Sequence, residues 1–217
     1  MKSACGHEVY IGLLGSEKSV LVQADFKKLI AAALRYLADN DPRLFYLFKS
    51  ICIGMPKTFT QSIRMTLKRW KLRKQGVMAY RNSVIANVEF FGAAKIEPYC
   101  RFAGDPLIVV GHRFYSNAHC HFLGEITIGD DVMFGPKCVV WGRDHGMAVG
   151  RPMKEQPHVR APIVIGDDVW VGAGVTILKG VEIGDGAVIG AGSVVTKSIP
   201  PMAIAVGNPA KVVKMRS

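Results

Sequence analysis

The chain has 217 residues, 49% of them hydrophobic, which is long and apolar enough to bury a core, and 28 Lys+Arg against 17 Asp+Glu give a formal charge of +11. Five cysteines (Cys5, Cys52, Cys100, Cys120, Cys138), odd in number and without CxxC spacing, argue against a disulfide framework and a zinc site and point to a reducing cytoplasm. The start, MKSACGHEVY, lacks the basic and apolar regions of an export signal, and no run reaches about 18 apolar residues, so neither export nor membrane spanning is expected.

In chain order, residues 1–83 form a basic segment: fifteen basic and five acidic side chains give +10, whereas thirteen and twelve give +1 over residues 84–217. Fixed charge of this kind steers polyanions without choosing among them. Phe26, Ile30, Ala33 and Leu37 have helical spacing, Asn40-Asp41-Pro42 breaks the chain, and 43–53 and 62–75 again suit helices. In the last of these Arg64, Lys68, Arg69, Lys71, Arg73 and Lys74 crowd beside Ile63, Leu67 and Trp70. Two readings stay open for it: a cap on the domain that follows, or peripheral contact with the anionic inner face of a membrane. Nucleic acid is not an expected partner.

From residue 84 a six-residue period takes over. Ile165, Val171, Ile177, Ile183, Ile189 and Val195 recur at one slot, and Val169, Val175, Val181, Ala187, Ser193 and Ile199 at another four residues on. The register continues upstream at Val110, Ser116, Phe122, Ile128, Phe134 and Val140, then two residues out of phase at Val84, Phe90, Ile96 and Phe102, with the break at Asp105-Pro106. Six fits neither a helix nor a long strand but suits short strands joined by tight corners, three to a coil of about eighteen residues. Gly111, Gly129, Gly135, Gly166, Gly172, Gly184 and Gly190 each directly follow an inward apolar residue, where a corner conformation without Cβ strain is expected. Cys100, Cys120 and Cys138 should then stack as small buried residues. A hexad at 159–164 restores the register after an excursion at about 146–158, a length that marks a functional loop. The expected organisation is a helical segment at 1–83, a repeat at 84–205 and a tail at 206–217.

The stretch IGDDVWVGAGVTILKGVEIGDGAVIGAGSVVTKSIPPMAIAVGNPAKVVK, residues 165–214, resembles the hexapeptide-repeat acyltransferases, in the branch of the galactoside and maltose acetyltransferases and the colanic-acid and lipopolysaccharide O-acetyltransferases. The resemblance covers roughly residues 84–217. It implies an all-β fold, a left-handed parallel β-helix assembled as a homotrimer. It also implies acetyl-CoA as co-substrate with no metal, and a sugar or envelope-glycan hydroxyl as acceptor.

The same resemblance puts the catalytic base at His145, in VVWGRDHGM at the mouth of the excursion. The chemistry agrees, because a hydroxyl attacking a thioester needs a base that titrates near neutrality. Asn117 matches an acceptor-contacting asparagine, although asparagine in a glycine slot also suits a left-handed corner. Ser116 and Asp144 break the inward apolar pattern beside Asn117 and His145, and Asp144 and Trp170 are read as acceptor-side residues. For acetyl-CoA the resemblance implies the backbone at Ala173 and Ala191, the pair Thr196 and Lys197, and Lys211 and Lys214 in the GNPAK context, a set able to offer amide donors and cations to phosphates. The remaining histidines, His7, His112, His119, His121 and His158, read as surface or structural residues. The competing readings are a xenobiotic (antibiotic) acetyltransferase and a non-catalytic trimeric scaffold. A carbonic anhydrase on the same helix would require HxxxxH, which is missing.

Overall fold

The structure, a computed structural model, describes residues 67–80 and 82–217. The helices expected at 26–37 and 43–53, and Ile63 and Arg64 of the basic leader, lie outside the described residues, and so does the test of its two readings. The chain divides into two compact units, Met1–Trp70 and Lys71–Ser217. Residues 67–74 are helical, and the helix ends at Gly76, whose φ of +79° is a left-handed stop that glycine adopts without a Cβ clash. Among the described residues no helix is long and apolar enough to cross a membrane.

The second unit is the expected parallel β-helix, an all-β fold. One face stacks Val77–Ala79, Ala94–Ile96, Phe114–Ser116, Met133–Phe134, Trp170–Val171, Val188–Ile189 and Ala203–Val206. The other two faces are made by Arg101–Val110 and His121–Ile128, which bend across a corner, then by Val139–Trp141, Thr176–Leu178 and Val194–Val195 on one and Ile163–Ile165 and Glu182–Ile183 on the other. Val171 pairs with Ile189 and Ile177 with Val195, eighteen residues on in each case. Phe102 pairs with Phe122, twenty residues on, but Ile108 pairs with Ile126, eighteen on, so the two extra residues lie at the cis Asp105-Pro106 bend as the phase break predicts.

Apart from Asp144 and Val159 on the excursion stem, the inward positions read from 96 onward are buried, and Phe102, Phe114, Phe122 and Phe134 fill the wide coils. Cys100, Cys120 and Cys138 are buried free thiols, and their Sγ atoms point at the carbonyls of Asn117, Gly135 and Gly172 at 3.0–3.1 Å. Burial of this kind removes contacts with water at roughly 25 cal/mol per Å² of apolar surface.

Three expectations are corrected. Val84 points outward and is 48% exposed, while Ile85 is buried, because the register of Val84–Phe90 shifts by a bulge between Ala86 and Val88. The glycines after inward residues do not adopt left-handed backbone; they allow close approach. A Cβ at Gly172 would lie 2.7 Å from the Ala191 nitrogen and 2.9 Å from the Ile189 oxygen, against the backbone of the next coil. The left-handed corner sits two residues later, at Gly174 (φ +66°) and at Lys137 (φ +61°). Finally, the hexad expected at 159–164 is not a coil side throughout. His158–Arg160 pairs antiparallel with Arg143–His145, Val159 is exposed, and only Ile163–Ile165 returns to the ladder.

Candidate active site

The coil has three corners, and the site residues expected from sequence occupy two of them and one flat face. Asn117 begins the corner after Phe114–Ser116, in line with Gly135, since its N–H donates to the carbonyl of Phe134 at 3.0 Å and the Gly135 N–H to that of Val171 at 2.8 Å. Ala173 and Ala191 lie at the same corner in later coils, where the Gly192 N–H donates to the Ala173 carbonyl at 2.8 Å. Both alanines are exposed, and among the described residues neither amide N–H donates a hydrogen bond. In the coil of Asn117 the equivalent amide is satisfied: the Ala118 N–H donates to Asn117 Oδ1 at 2.7 Å.

Asn117 itself is not left-handed, so that explanation for it fails; the left-handed residue of its corner is His119, with φ +62°. The half-exposed Asn117 Nδ2 has no hydrogen-bond partner among the described residues. Ser116 is fully buried, donates to the Asn117 carbonyl at 3.2 Å and belongs to the core.

His145 belongs to the next corner. Strand Val139–Trp141 ends there, the Gly142 N–H donates to the Leu123 carbonyl at 2.7 Å, and the chain leaves the coil as the antiparallel stem Arg143–His145 with His158–Arg160. The excursion is fastened by Gln156, 8% exposed, whose side chain accepts from the Ala148 N–H at 2.8 Å and donates to the carbonyls of Ala148 and Arg151 at 2.9 Å. Its tip exposes Met147, Val149 and Met153.

His145 is exposed, and its ring meets that of His158 edge-to-face with centroids 4.5 Å apart. Asp144, on the other side of the strand, is not an inward residue of the coil as its sequence slot suggests. It forms an ion pair with Lys179 at 2.7 Å, both partners about one-third exposed. Asp105 receives Arg143 Nη1 and Arg160 Nε on one oxygen, both at 3.1 Å, and the hydrogen bond from Arg160 is the main cause holding its carboxyl below the usual range. No site role is read from sequence for Lys179, Asp105 or His158; Asp105 marks only the phase break and His158 counts among the surface or structural histidines. An ion pair across coils leaves no mark in a six-residue period, and His158 became visible only once the stem proved antiparallel.

Thr196 and Lys197 follow Val195, which pairs with Ile177, so they lie at the corner of Lys179 and the stem, both exposed. Lys211 and Lys214 stand on the exposed strand Lys211–Met215, opposite Val206 and Ile204. Trp170, 54% exposed, sits on the outer side of the first face between Met133 and Val188. One chain therefore gathers Asn117, Ala173 and Ala191 at one corner, and His145, Asp144, Thr196 and Lys197 at another, without joining the two sets. No group of three or more His, Cys, Asp or Glu among the described residues could hold a metal ion.

Comparison with known proteins agrees with this architecture. Residues 162–197 match the family described as bacterial transferase hexapeptide (six repeats). The galactoside O-acetyltransferase of Escherichia coli K12 is 33% identical over 175 residues, covering 77% of this chain and 84% of that protein. A maltose O-acetyltransferase structure from Clostridium difficile 630 superposes with a TM-score of 0.51 at 32% identity, covering 77% of this chain and 82% of that one. A hexapeptide-repeat acetyltransferase from Vibrio cholerae, determined in complex with acetyl coenzyme A, gives a TM-score of 0.54 at 27% identity over 70% and 78% of the two chains. With its coil, its corner glycines and its excursion all in place, this chain belongs to the hexapeptide-repeat acetyltransferase family and is an acyltransferase.

Proposed function

We propose that this enzyme transfers an acetyl group from acetyl-CoA to a hydroxyl of a sugar or of an envelope or capsule glycan, with His145 as general base. The observation that carries the reading is the placement of an exposed imidazole on a two-stranded stem tied to the coils on both sides by Asp105 and Lys179. A base held by ordered elements keeps one geometry through the reaction. Acetyl-CoA, when bound, supplies a thioester carbonyl. His145 takes the proton of the attacking hydroxyl as the new C–O bond forms, and returns it to the sulfur as the C–S bond breaks.

The residues present fit such a donor. The amides of Ala173 and Ala191, exposed and without partners among the described residues, are donors on a corner kept low by small side chains. Lys197, Lys211 and Lys214 are exposed cations suited to phosphates, with Thr196 beside the first. Asn117 Nδ2 and Trp170 are assigned to the acceptor, and Asp144, paired with Lys179, borders it.

The homotrimer belongs to the same proposal. Met78, Tyr115, Met133, Trp170 and Val188 form a continuous outward row on the first face, joined through Lys95 by the strand pairing, and a second copy would cover it. Association also brings the corner of Asn117 on one chain to the corner of His145 on another, which no single chain can do. Three buried free thiols accord with a reducing cytoplasm.

The test is release of CoA from acetyl-CoA by the full chain across a panel of galactosides, maltose, lipid-linked oligosaccharide and a macrolide, with the product examined by NMR. The expected product is a base-labile O-acetyl ester on a sugar. Acetylation confined to the macrolide would replace the glycan reading with the xenobiotic one, and no CoA release from any hydroxyl would reject both.

A further inference from the structure

The stem that carries His145 gathers four nitrogen-bearing side chains on one face. Arg143 and His145 are two residues apart on one strand, and their cross-strand partners are Arg160 and His158. Residues so related share a face of the ribbon. The contacts agree: the two imidazoles meet at 4.5 Å with planes at 79°, and Arg143 and Arg160 converge on a single oxygen of Asp105. The opposite face carries Asp144, held by Lys179. The stem is therefore fixed from the preceding bend and from the following coil, and the ring contact made to His145 among the described residues comes from His158.

Resting on the reading of His145 as the base, we propose that His158 is a positioning residue, whose ring fixes the orientation of the His145 imidazole and which stays neutral while His145 carries the substrate proton. An exposed histidine on a strand samples several χ2 orientations, and only some point a ring nitrogen at the acceptor; an edge-to-face neighbour removes the others. The charges agree with the second half. His158 faces His145, Arg143 and Arg160 as cations or potential cations and Asp105 as the anion, while the Asp144 charge is compensated by Lys179 on the far side. Its partial burial first, then the charges of His145, Arg143 and Arg160, hold the His158 imidazole below its ordinary range, with Asp105 opposing.

The experiment compares His158→Ala and His158→Phe in the full chain, using the best acceptor of the panel above, and follows both imidazoles by NMR titration. His158→Ala is expected to lower kcat about tenfold with the KM for acetyl-CoA unchanged, and His158→Phe, which keeps an aromatic neighbour, to recover to within about threefold of wild type. In His145→Phe the His158 midpoint should rise toward the ordinary imidazole range, because the nearby charge has gone. Unchanged kcat in His158→Ala, equal loss in both His158 variants, or a His158 midpoint that does not move in His145→Phe would overturn the proposal. These outcomes are separable from failure of the base assignment, which shows instead as undiminished turnover in His145→Ala.

Discussion

His145→Ala should leave the β-helix folded and lower turnover by roughly 10²–10⁴, the range expected for removal of a general base. The side chain is exposed and makes no hydrogen bond within the described residues, so its loss removes little packing beyond the contact with His158. The stem keeps its own anchors, because Asp105 still joins Arg143 to Arg160 and Lys179 still holds Asp144. The KM for acetyl-CoA should change little, since the groups assigned to the donor are backbone amides and lysines elsewhere. Steady-state kinetics beside a thermal melt checks this: turnover within about threefold of wild type, with folding intact, would remove His145 from the mechanism.

The largest stability effect is expected in the phenylalanine stack. Phe122 is 1% exposed, its ring lies 4.2 Å from that of Phe102 in a stacked pair, and Phe134 and Phe114 approach edge-on at 5.0 and 6.2 Å. Phe122→Ala would empty the middle of this stack between two rigid coils that cannot close over the gap. The expected cost is about 3–5 kcal/mol. Phe91→Ala, at a position 66% exposed, should stay within about 0.5 kcal/mol. Urea denaturation of both variants at equal chain concentration measures the difference, and equal midpoints would mean that the wide coils are not packed as described.

The coil was legible in the sequence because a six-residue period is a direct image of its geometry: outside the excursion stem, where Asp144 and Val159 leave the pattern, the inward slots from Ile96 to Ile199 are buried, and the slip at Asp105-Pro106 appears as a phase change. The misread parts are those where the period carries no information. Val84 and Ile85 differ by one position, and a bulge decides which faces inward. The corner glycines were recognised for the wrong reason, since close approach and left-handed backbone both select glycine and only coordinates separate them. In the candidate site, the placement of His145 at the mouth of the excursion followed from its motif. The ion pairs of Asp144 with Lys179 and of Asp105 with Arg143 and Arg160 join residues 35 to 55 positions apart, through contacts that exist only after the coil has stacked.

The placement of Asn117 and His145 at different corners makes one experiment decisive for the assembled site. Asn117→Ala chains and His145→Ala chains, each forming trimers of low activity, are co-expressed with different tags, and mixed trimers are purified through both. If the acceptor site takes Asn117 from one chain and His145 from its neighbour, some boundaries in the mixed trimers hold both native residues. Activity should then recover to about a third of wild type, because every trimer holding both chain types has one boundary of three at which native Asn117 faces native His145 across a heterologous interface. Mixed trimers no more active than their parents would show that no catalytic site is assembled between copies from these two residues.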